Sequence, residues 1–171
     1  MSSYKRIFLP NNSYFFTVVT ANRNPFFAGD ENVQLLKTAF FYVQSRKPFK
    51  IEAICILPDH LHCIWTMLDD SNYSIRWQMI KTDFSRRYRY QNREQKQTKI
   101  WQSRYWEHVI RDQDDFDKHV DYIHYNPVRH GLVKSVKDWS YSSFNKYVTK
   151  GYYDSGWGDC EPDSTVGMWC E

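Results

Sequence analysis

The sequence predicts an α+β fold of the ferredoxin-like type, a two-layer sandwich in which two helices cover one face of a four-stranded antiparallel sheet, with an added C-terminal helix. Two observations support this prediction. Segments rich in aromatic and β-branched residues alternate with segments whose apolar residues recur at helical spacing. Their order along the chain, βαββαβ, is the order of a ferredoxin-like sandwich.

Three strands and one helix are predicted in the first part of the chain. Residues 13–20 are aromatic and β-rich, which predicts a strand, and residues 31–45 carry apolar side chains at helical spacing. Residues 49–57 and 61–67 are short apolar runs, so both are predicted strands, joined at Pro58-Asp59.

The second part of the chain completes the pattern and adds to it. Residues 73–90 form the second predicted helix and residues 105–111 the fourth strand. Residues 114–127 predict an added helix of about three turns, with acidic residues in its first turn and Pro127 at its end. Residues 140–148 predict a short final helix. The added helix is expected to cross to the sheet face that carries His60 and His62.

The most informative local feature is a pair of histidines separated by one apolar residue, His60 and His62, in the predicted third strand. Side chains alternate along a strand, so both imidazoles point to one face. The opposite, core-facing set is Leu61, Cys63, Trp65 and Met67. Taken alone, such a pair is more often structural than metal-binding, because two imidazoles are an incomplete ligand set. A third ligand must come from elsewhere.

The helix over residues 114–127 supplies candidates. Phe116, Val120 and Ile123 fall within one narrow stripe of a helical wheel, and Tyr122 and Asn126 lie together on its flank. Because they are four residues apart, the phenol and the carboxamide are one turn apart on the same side of the helix. The alternative for Tyr122 is a tyrosine at the edge of the core with its hydroxyl in water.

These motifs resemble those of the REP-associated tyrosine transposases, a branch of the single-tyrosine transposases within the His-hydrophobe-His (HUH) nucleases. The matching phrases are LPDHLHCIW at 57–65, IWQSRYWEH at 100–108, and HVDYI at 119–123 with NPV at 126–128. They occur in the family's order, and the resemblance covers roughly residues 4–147. Three phrases in the correct order and spacing are far more specific than one short motif.

The resemblance implies a mechanism and assigns roles to residues. His60, His62 and Asn126 would be metal ligands, and Tyr122 would be the nucleophile that forms a 5′-phosphotyrosine link to DNA and leaves a free 3′-hydroxyl. The link preserves the energy of the broken bond, so strands can be rejoined without ATP. Tyr125 is a competing nucleophile, but it points about 180° away from the apolar stripe, which favours Tyr122.

The same resemblance indicates cofactor and partners. Imidazole and amide ligands suit Mg²⁺ or Mn²⁺, with Mn²⁺ the better partner for nitrogen. The expected substrate is single-stranded DNA beside a hairpin, the repetitive extragenic palindrome (REP). The branch resembles monomers that act in cis, although a helix-swapped homodimer stays open. Lys118 and His119 are neighbours of Tyr122 that could stabilise its anion, whereas a solvated Lys118 is the simpler interpretation.

Charge is distributed unevenly along the chain. The net charge is +3, but residues 151–171 contain five acidic and no basic side chains, so the other 150 residues carry 23 basic and 15 acidic groups, a net of +8. The densest basic stretch interleaves cations with tyrosines, which suits phosphate pairing and base stacking. A solvated helix end is the alternative. The candidate DNA contacts are Lys81, Arg86, Arg87, Arg89, Arg93 and Lys118.

The chain is predicted to contain one domain, residues 1–150, followed by an acidic tail, residues 151–171. The tail either docks or is disordered. Its negative charge suggests that it folds over the basic surface formed by the candidate DNA contacts, here called the basic groove, and inhibits DNA binding. No apolar run predicts a signal segment or a membrane span, so we expect a cytoplasmic protein, associated with the nucleoid when bound to DNA. Two other function classes remain open: an RRM-like nucleic-acid-binding module, and a metal-dependent nuclease that uses water.

Overall fold

The fold is an antiparallel sheet with helices on both faces, in a computed structural model that describes residues 8–68, 70–92 and 99–170. The strands are β1 (Ser13–Val19), β2 (Phe49–Ile56), β3 (His60–Met67) and β4 (Trp106–Val109). Their spatial order is β2-β3-β1-β4, and every neighbouring pair is antiparallel. The predicted ferredoxin-like α+β fold is confirmed.

Four α-helices accompany the sheet in the described residues: α1 (Asp30–Gln44), α2 (Tyr73–Gln91), α3 (Gln113–Arg129) and α4 (Phe144–Thr149). The prediction that Pro127 ends the third helix was wrong by two residues. Proline removes only its own N–H from the helical ladder, and the N–H of His130 still donates to the Asn126 carbonyl at 3.0 Å. The last turn therefore forms with the proline inside it.

The pairing of β1 with β3 separates the side chains into two faces. Directly opposed residues of an antiparallel pair lie on the same face, and β1 pairs Phe16 with Cys63 but Thr17 with His62. The first face packs under α1 and α2, where the Trp65 and Trp77 rings stack with centroids 4.2 Å apart. Large buried aromatic pairs of this kind dominate the energetics of a core.

The second face of the sheet packs under α3. Phe15 and Ile64 of the strands are fully buried there against Val120 and Ile123 of the helix. The added helix thus crosses to the histidine face, as predicted. The histidine pair itself is buried, with His60 at 1% and His62 at 0% exposure.

Residues 151–170 pack against the rest of the chain. Trp157 lies with its ring centroid 4.3 Å from that of Tyr153 and 5.8 Å from that of Phe144 at the start of α4. Gly158 has φ +86°, and a Cβ there would lie 2.6 Å from Val136, so this turn requires glycine. Within the described ranges, no helix combines the length and apolarity needed to cross a membrane.

Candidate functional site

The two histidines lie at the start of β3, where their rings are in edge-to-face contact. The ring centroids are 4.8 Å apart and the planes are nearly perpendicular, at 82°. Burial lowers the pKa of His62 well below its usual value, and electrostatic interactions with the neighbouring basic groups His60, His130 and Arg23 lower it further. His62 is therefore neutral near pH 7, the state in which imidazole can bind a metal ion.

The hydrogen bonds of Thr17 determine which nitrogen of His62 carries the proton. The Thr17 hydroxyl donates to the carbonyl oxygen of Cys170, so it has no proton left to donate to the histidine. It must accept from His62 Nδ1, which lies 2.9 Å away. The lone pair of the neutral ring is then on Nε2. That atom is buried and has no hydrogen-bond partner in the described part of the chain.

His60 is oriented in the same manner by Asp59. Its Nδ1 lies 2.6 Å from Asp59 Oδ1. The buried Nε2 is therefore the ring nitrogen that points away from the Asp59 carboxylate. Burial alone would raise the pKa of Asp59, but His60 and the guanidinium of Arg23 outweigh burial and lower it to about 2. A carboxylate that holds the far nitrogen of an imidazole is the usual support of a metal-binding histidine.

Tyr122 and Asn126 of α3 lie against this pair. The Tyr122 ring centroid is 5.3 Å from that of His62, and the Asn126 amide is close enough to His62 to raise its pKa in opposition to burial. Asn126 Nδ2 donates to the Tyr122 carbonyl at 3.5 Å. Its Oδ1 is buried and, among the described residues, makes no hydrogen bond of acceptable geometry. The four site residues predicted from sequence are thus brought together.

This donor set fits a divalent cation. Two imidazoles with their Nδ1 atoms already held, and an amide oxygen without a partner, present neutral N and O ligands. A buried polar atom without a hydrogen bond costs about 1–3 kcal/mol, so such atoms are unusual unless a ligand satisfies them. Nitrogen and oxygen donors of this kind can hold a divalent metal ion.

Two residues beside the site were not identified from the sequence. The guanidinium carbon of Arg129 lies 5.0 Å from the centroid of the Tyr122 ring, and the His130 ring centroid lies 5.1 Å from that of His60. Arg129 is seven residues after Tyr122, on the same side of the helix, which is a signal that the sequence contains. His130 is reachable only because α3 ends beside β3.

The acidic tail covers this face of the molecule. Arg129 donates to the carbonyl oxygens of Met168 and Thr165, each at 2.8 Å, and pairs with Glu161 at 2.6 Å. Cys170 is buried in the same apolar cluster as Tyr122. These contacts lie on α3 and β1, on the opposite side of the sheet from the basic helix α2, so the docked tail covers the tyrosine rather than the basic groove.

The remaining candidates on α3 make other contacts. Tyr125 belongs to a different cluster, with Val136 and Phe144. Lys118 is exposed and pairs with Asp114 at 2.6 Å, which agrees with the solvated alternative. His119 donates from Nδ1 to the Asp115 carbonyl at 2.7 Å.

The basic candidates of α2 lie in the helical layer on the far side of the sheet from Tyr122. Arg86 and Arg87 both pair with the buried Asp83, at 2.7 and 2.6 Å. Lys81 donates to the Gln102 carbonyl at 3.1 Å and lies over the Trp101 ring. Arg89 is exposed, and Arg93 lies outside the described residues. The structure does not bring the described members of this set to Tyr122.

Comparisons with known proteins agree on one family. The family model described as transposase IS200 like matches residues 9–126, about two thirds of the chain. A REP-associated tyrosine transposase of Escherichia coli K12 is 40% identical over 168 residues, covering 98% of this chain and 97% of the relative. A Haemophilus influenzae protein, described as a candidate for the same kind of transposase, is 42% identical and covers 97% of this chain and 98% of its own length.

A solved structure agrees as well. A REP-associated tyrosine transposase bound to a REP hairpin superposes with a TM-score of 0.84 and 38% sequence identity. The match covers 99% of this chain and 98% of the other. The likeness therefore includes residues 151–170 and is not confined to the sheet and helices.

The packing of α3 makes stability depend on pH through His124. Its Nε2 lies 2.8 Å from Ser143 Oγ, and burial lowers its pKa to about 3 from 6.5. The unfolded chain therefore binds the proton first, and the free energy of unfolding falls as the pH decreases below about 6.5, by up to ~1.4 kcal/mol per pH unit. When the pH is lowered from 6.5 to 5, we expect the free energy of unfolding, measured in urea, to fall about 2 kcal/mol less in His124→Gln than in the wild type. Parallel curves for the two proteins would contradict this.

Proposed function

The chain belongs to the family of IS200-like transposases, in its REP-associated tyrosine branch, and we propose that it cuts and rejoins single-stranded DNA beside a hairpin through a covalent bond to Tyr122. The observation that carries this proposal is the convergence of a phenol, two imidazoles and an amide on one buried face. Members of this family are DNA strand-transferring enzymes. The chemistry given below is our inference for this chain.

A divalent cation bound by His60, His62 and Asn126 would polarise the scissile phosphate and orient it toward the tyrosine. Mn²⁺ or Mg²⁺ is the expected ion, because the three ligands are neutral nitrogen and oxygen donors. The supporting observation is the pair of buried atoms, His62 Nε2 and Asn126 Oδ1, that make no hydrogen bond among the described residues.

In the proposed step, the phenol oxygen of Tyr122 attacks the phosphorus and loses its proton to solvent or to a nearby base. The bond from phosphorus to the 3′-oxygen breaks, and that oxygen leaves as a hydroxyl after taking up a proton. The product is a 5′-phosphotyrosine, and attack by a 3′-hydroxyl reverses the step. Arg129 supports it, because a cation 5.0 Å from the ring favours negative charge on the phenol oxygen.

The proposed substrate is DNA with a REP hairpin, as in the related transposase that was solved bound to one. An exposed phosphodiester of a single strand can reach a tyrosine on a helix, whereas a regular duplex holds its backbone away from such a face. The exposed cations of α2 are the proposed contacts for hairpin phosphates. They would act at a distance from the cleaved bond.

An RRM-like module is less well supported. Such modules stack bases on exposed aromatic residues of the sheet, but here Phe15 and the histidines are buried under α3. A metal-dependent nuclease that uses water is the remaining alternative. It would need His60 and His62 but would not need Tyr122.

The nucleophile can be identified by trapping. We expect wild-type protein incubated with Mn²⁺ and a single-stranded REP oligonucleotide to form a protein–DNA adduct that survives denaturing gel electrophoresis. Tyr122→Phe should lower adduct formation by at least about 10⁴-fold, since the attacking oxygen is removed. Tyr125→Phe is the matched control and should retain the adduct. Cleavage without an adduct would favour the water-dependent nuclease instead.

The support of His60 can be tested by metal binding. Asp59→Asn keeps an oxygen near His60 Nδ1 but removes the negative charge, and we expect Mn²⁺ affinity to fall 10–100-fold. Electron paramagnetic resonance of free Mn²⁺ measures this directly, without DNA. The exposed Asp138→Asn serves as the control for loss of one carboxylate. Equal affinities in the two variants would show that Asp59 does not support a metal ligand.

The docked tail is proposed to restrain the enzyme. Glu161→Gln removes the charge pair with Arg129, and we expect adduct formation to rise about tenfold, which corresponds to a lost contact of about 1.4 kcal/mol. Removal of residues 151–171 should raise it further. The rate of adduct formation and the DNA affinity measure the effect, with circular dichroism as the check on folding. No increase in either variant would remove the inhibitory role.

A further inference from the structure

A second polar cluster lies on the same sheet face, on the other side of β1 from His62. It consists of His108 on β4 with Asp115 and His119 on α3, and one potential ligand atom from each lies within 4.8 Å of the others. His108 Nε2 is 2.8 Å from Asp115 Oδ2. Asp115 and His119 are each 6% exposed. Nothing in the proposed cleavage chemistry uses this cluster.

The protonation of the cluster suits a metal ion. Burial alone would raise the pKa of Asp115, but hydrogen bonds from His108 and Arg111 outweigh burial and hold the pKa below its usual value. Burial lowers the pKa of His119. A carboxylate that stays ionised and an imidazole that stays neutral are the forms that ligate metals.

The backbone fixes the orientation of His119. A carbonyl oxygen can only accept a hydrogen bond, so His119 Nδ1 must carry the proton that is donated to the Asp115 carbonyl at 2.7 Å. The lone pair of the neutral ring is therefore on Nε2. A histidine whose other nitrogen donates to a backbone carbonyl is the common arrangement around bound metal ions.

The His108 ring is held by packing on both faces. Its plane lies 5° from that of Trp106, with centroids 5.9 Å apart, and 16° from that of His119, with centroids 4.6 Å apart. The His108 side chain is 25% exposed. Water can therefore reach the cluster from the side of His108, which leaves room for a further ligand.

We propose that His108, Asp115 and His119 form a second cation site, for a divalent transition-metal ion of the zinc class. Two imidazoles and one carboxylate with an open position for water are a ligand set typical of Zn²⁺. Four ligands at about 2.1 Å from a tetrahedral ion lie about 3.4 Å apart. The pair His108 Nε2 and Asp115 Oδ2 is already closer than this, at 2.8 Å.

Arg111 competes with the ion in this site. Its Nε lies 3.2 Å from Asp115 Oδ2, and its side chain is 74% exposed. A bound cation would take over this carboxylate, and the exposed guanidinium can move into solvent. The guanidinium and the cation repel each other, so removal of Arg111 should strengthen metal binding.

A bound ion would join β4 to the first turns of α3. Asp115 belongs to the first turn of that helix, and His119 lies three residues before Tyr122. The ion would therefore fix the helix that carries the tyrosine relative to the sheet. The proposal does not depend on the role of Tyr122, because binding of Zn²⁺ alone is the readout.

The test is equilibrium dialysis of metal-free protein against Zn²⁺, with metal analysis. The reference is His60→Ala/His62→Ala, which lacks the first site and should bind one Zn²⁺ per chain. Adding His108→Gln to this reference keeps a hydrogen-bond donor for Asp115 but removes an imidazole. The affinity for Zn²⁺ should then fall more than 100-fold, which exceeds the loss typical of groups that only support a ligand. Adding Arg111→Gln instead should raise affinity about threefold or more.

Equal Zn²⁺ binding with and without His108→Gln, or no binding in the reference, would overturn the proposal. If the reference does not fold, the same substitutions are made in the wild type, where His108→Gln should lower the stoichiometry by one and Arg111→Gln should raise the affinity. If His108→Gln does not fold either, the Arg111→Gln comparison decides: unchanged or weaker affinity overturns the site. A failure here leaves adduct formation by Tyr122 unaffected, so the two proposals can fail separately.

Discussion

The structure depends on burying polar groups that the protein itself does not fully satisfy. His62 Nε2 and Asn126 Oδ1 are enclosed between the sheet and α3, and no described residue makes a hydrogen bond to either atom. Each such atom costs about 1–3 kcal/mol. The apolar contacts of Phe15, Ile64 and Ile123 on the same face offset this cost. The face therefore combines a packed core with a set of preoriented ligands.

Much of this arrangement could be predicted from sequence because it follows from two periodicities. A period of two put His60 and His62 on one face of β3, and a spacing of four put Tyr122 and Asn126 on one side of α3. The pairing partner of His62 could not be predicted, since strand register depends on which residues of β1 meet β3. Thr17 was therefore missed, although its hydroxyl decides the tautomer of the imidazole.

The burial of the site also escaped prediction, for a different physical reason. The tail is acidic and contains four glycines, which locally favours disorder. Its order comes from distant contacts: Arg129 binds two tail carbonyls and Glu161, and Ser164 donates to Asp121 at 2.6 Å. Tyr122, Asn126 and Arg129 are four and seven residues apart and share one side of α3. Contacts of the tail and of the site thus converge on the same stripe of one helix.

The Phe15 ring lies between the two polar clusters of this face. β1 lies between β3 and β4 in the sheet, and the Phe15 ring contacts His62 on one side and His119 on the other, with centroids 5.7 and 4.8 Å away. Two-metal phosphodiesterase sites hold their ions about 3.5–4 Å apart. A phenyl ring between the clusters is incompatible with that spacing. Two ions on this face would therefore act separately, and a mechanism that activates water between paired metals does not fit this arrangement.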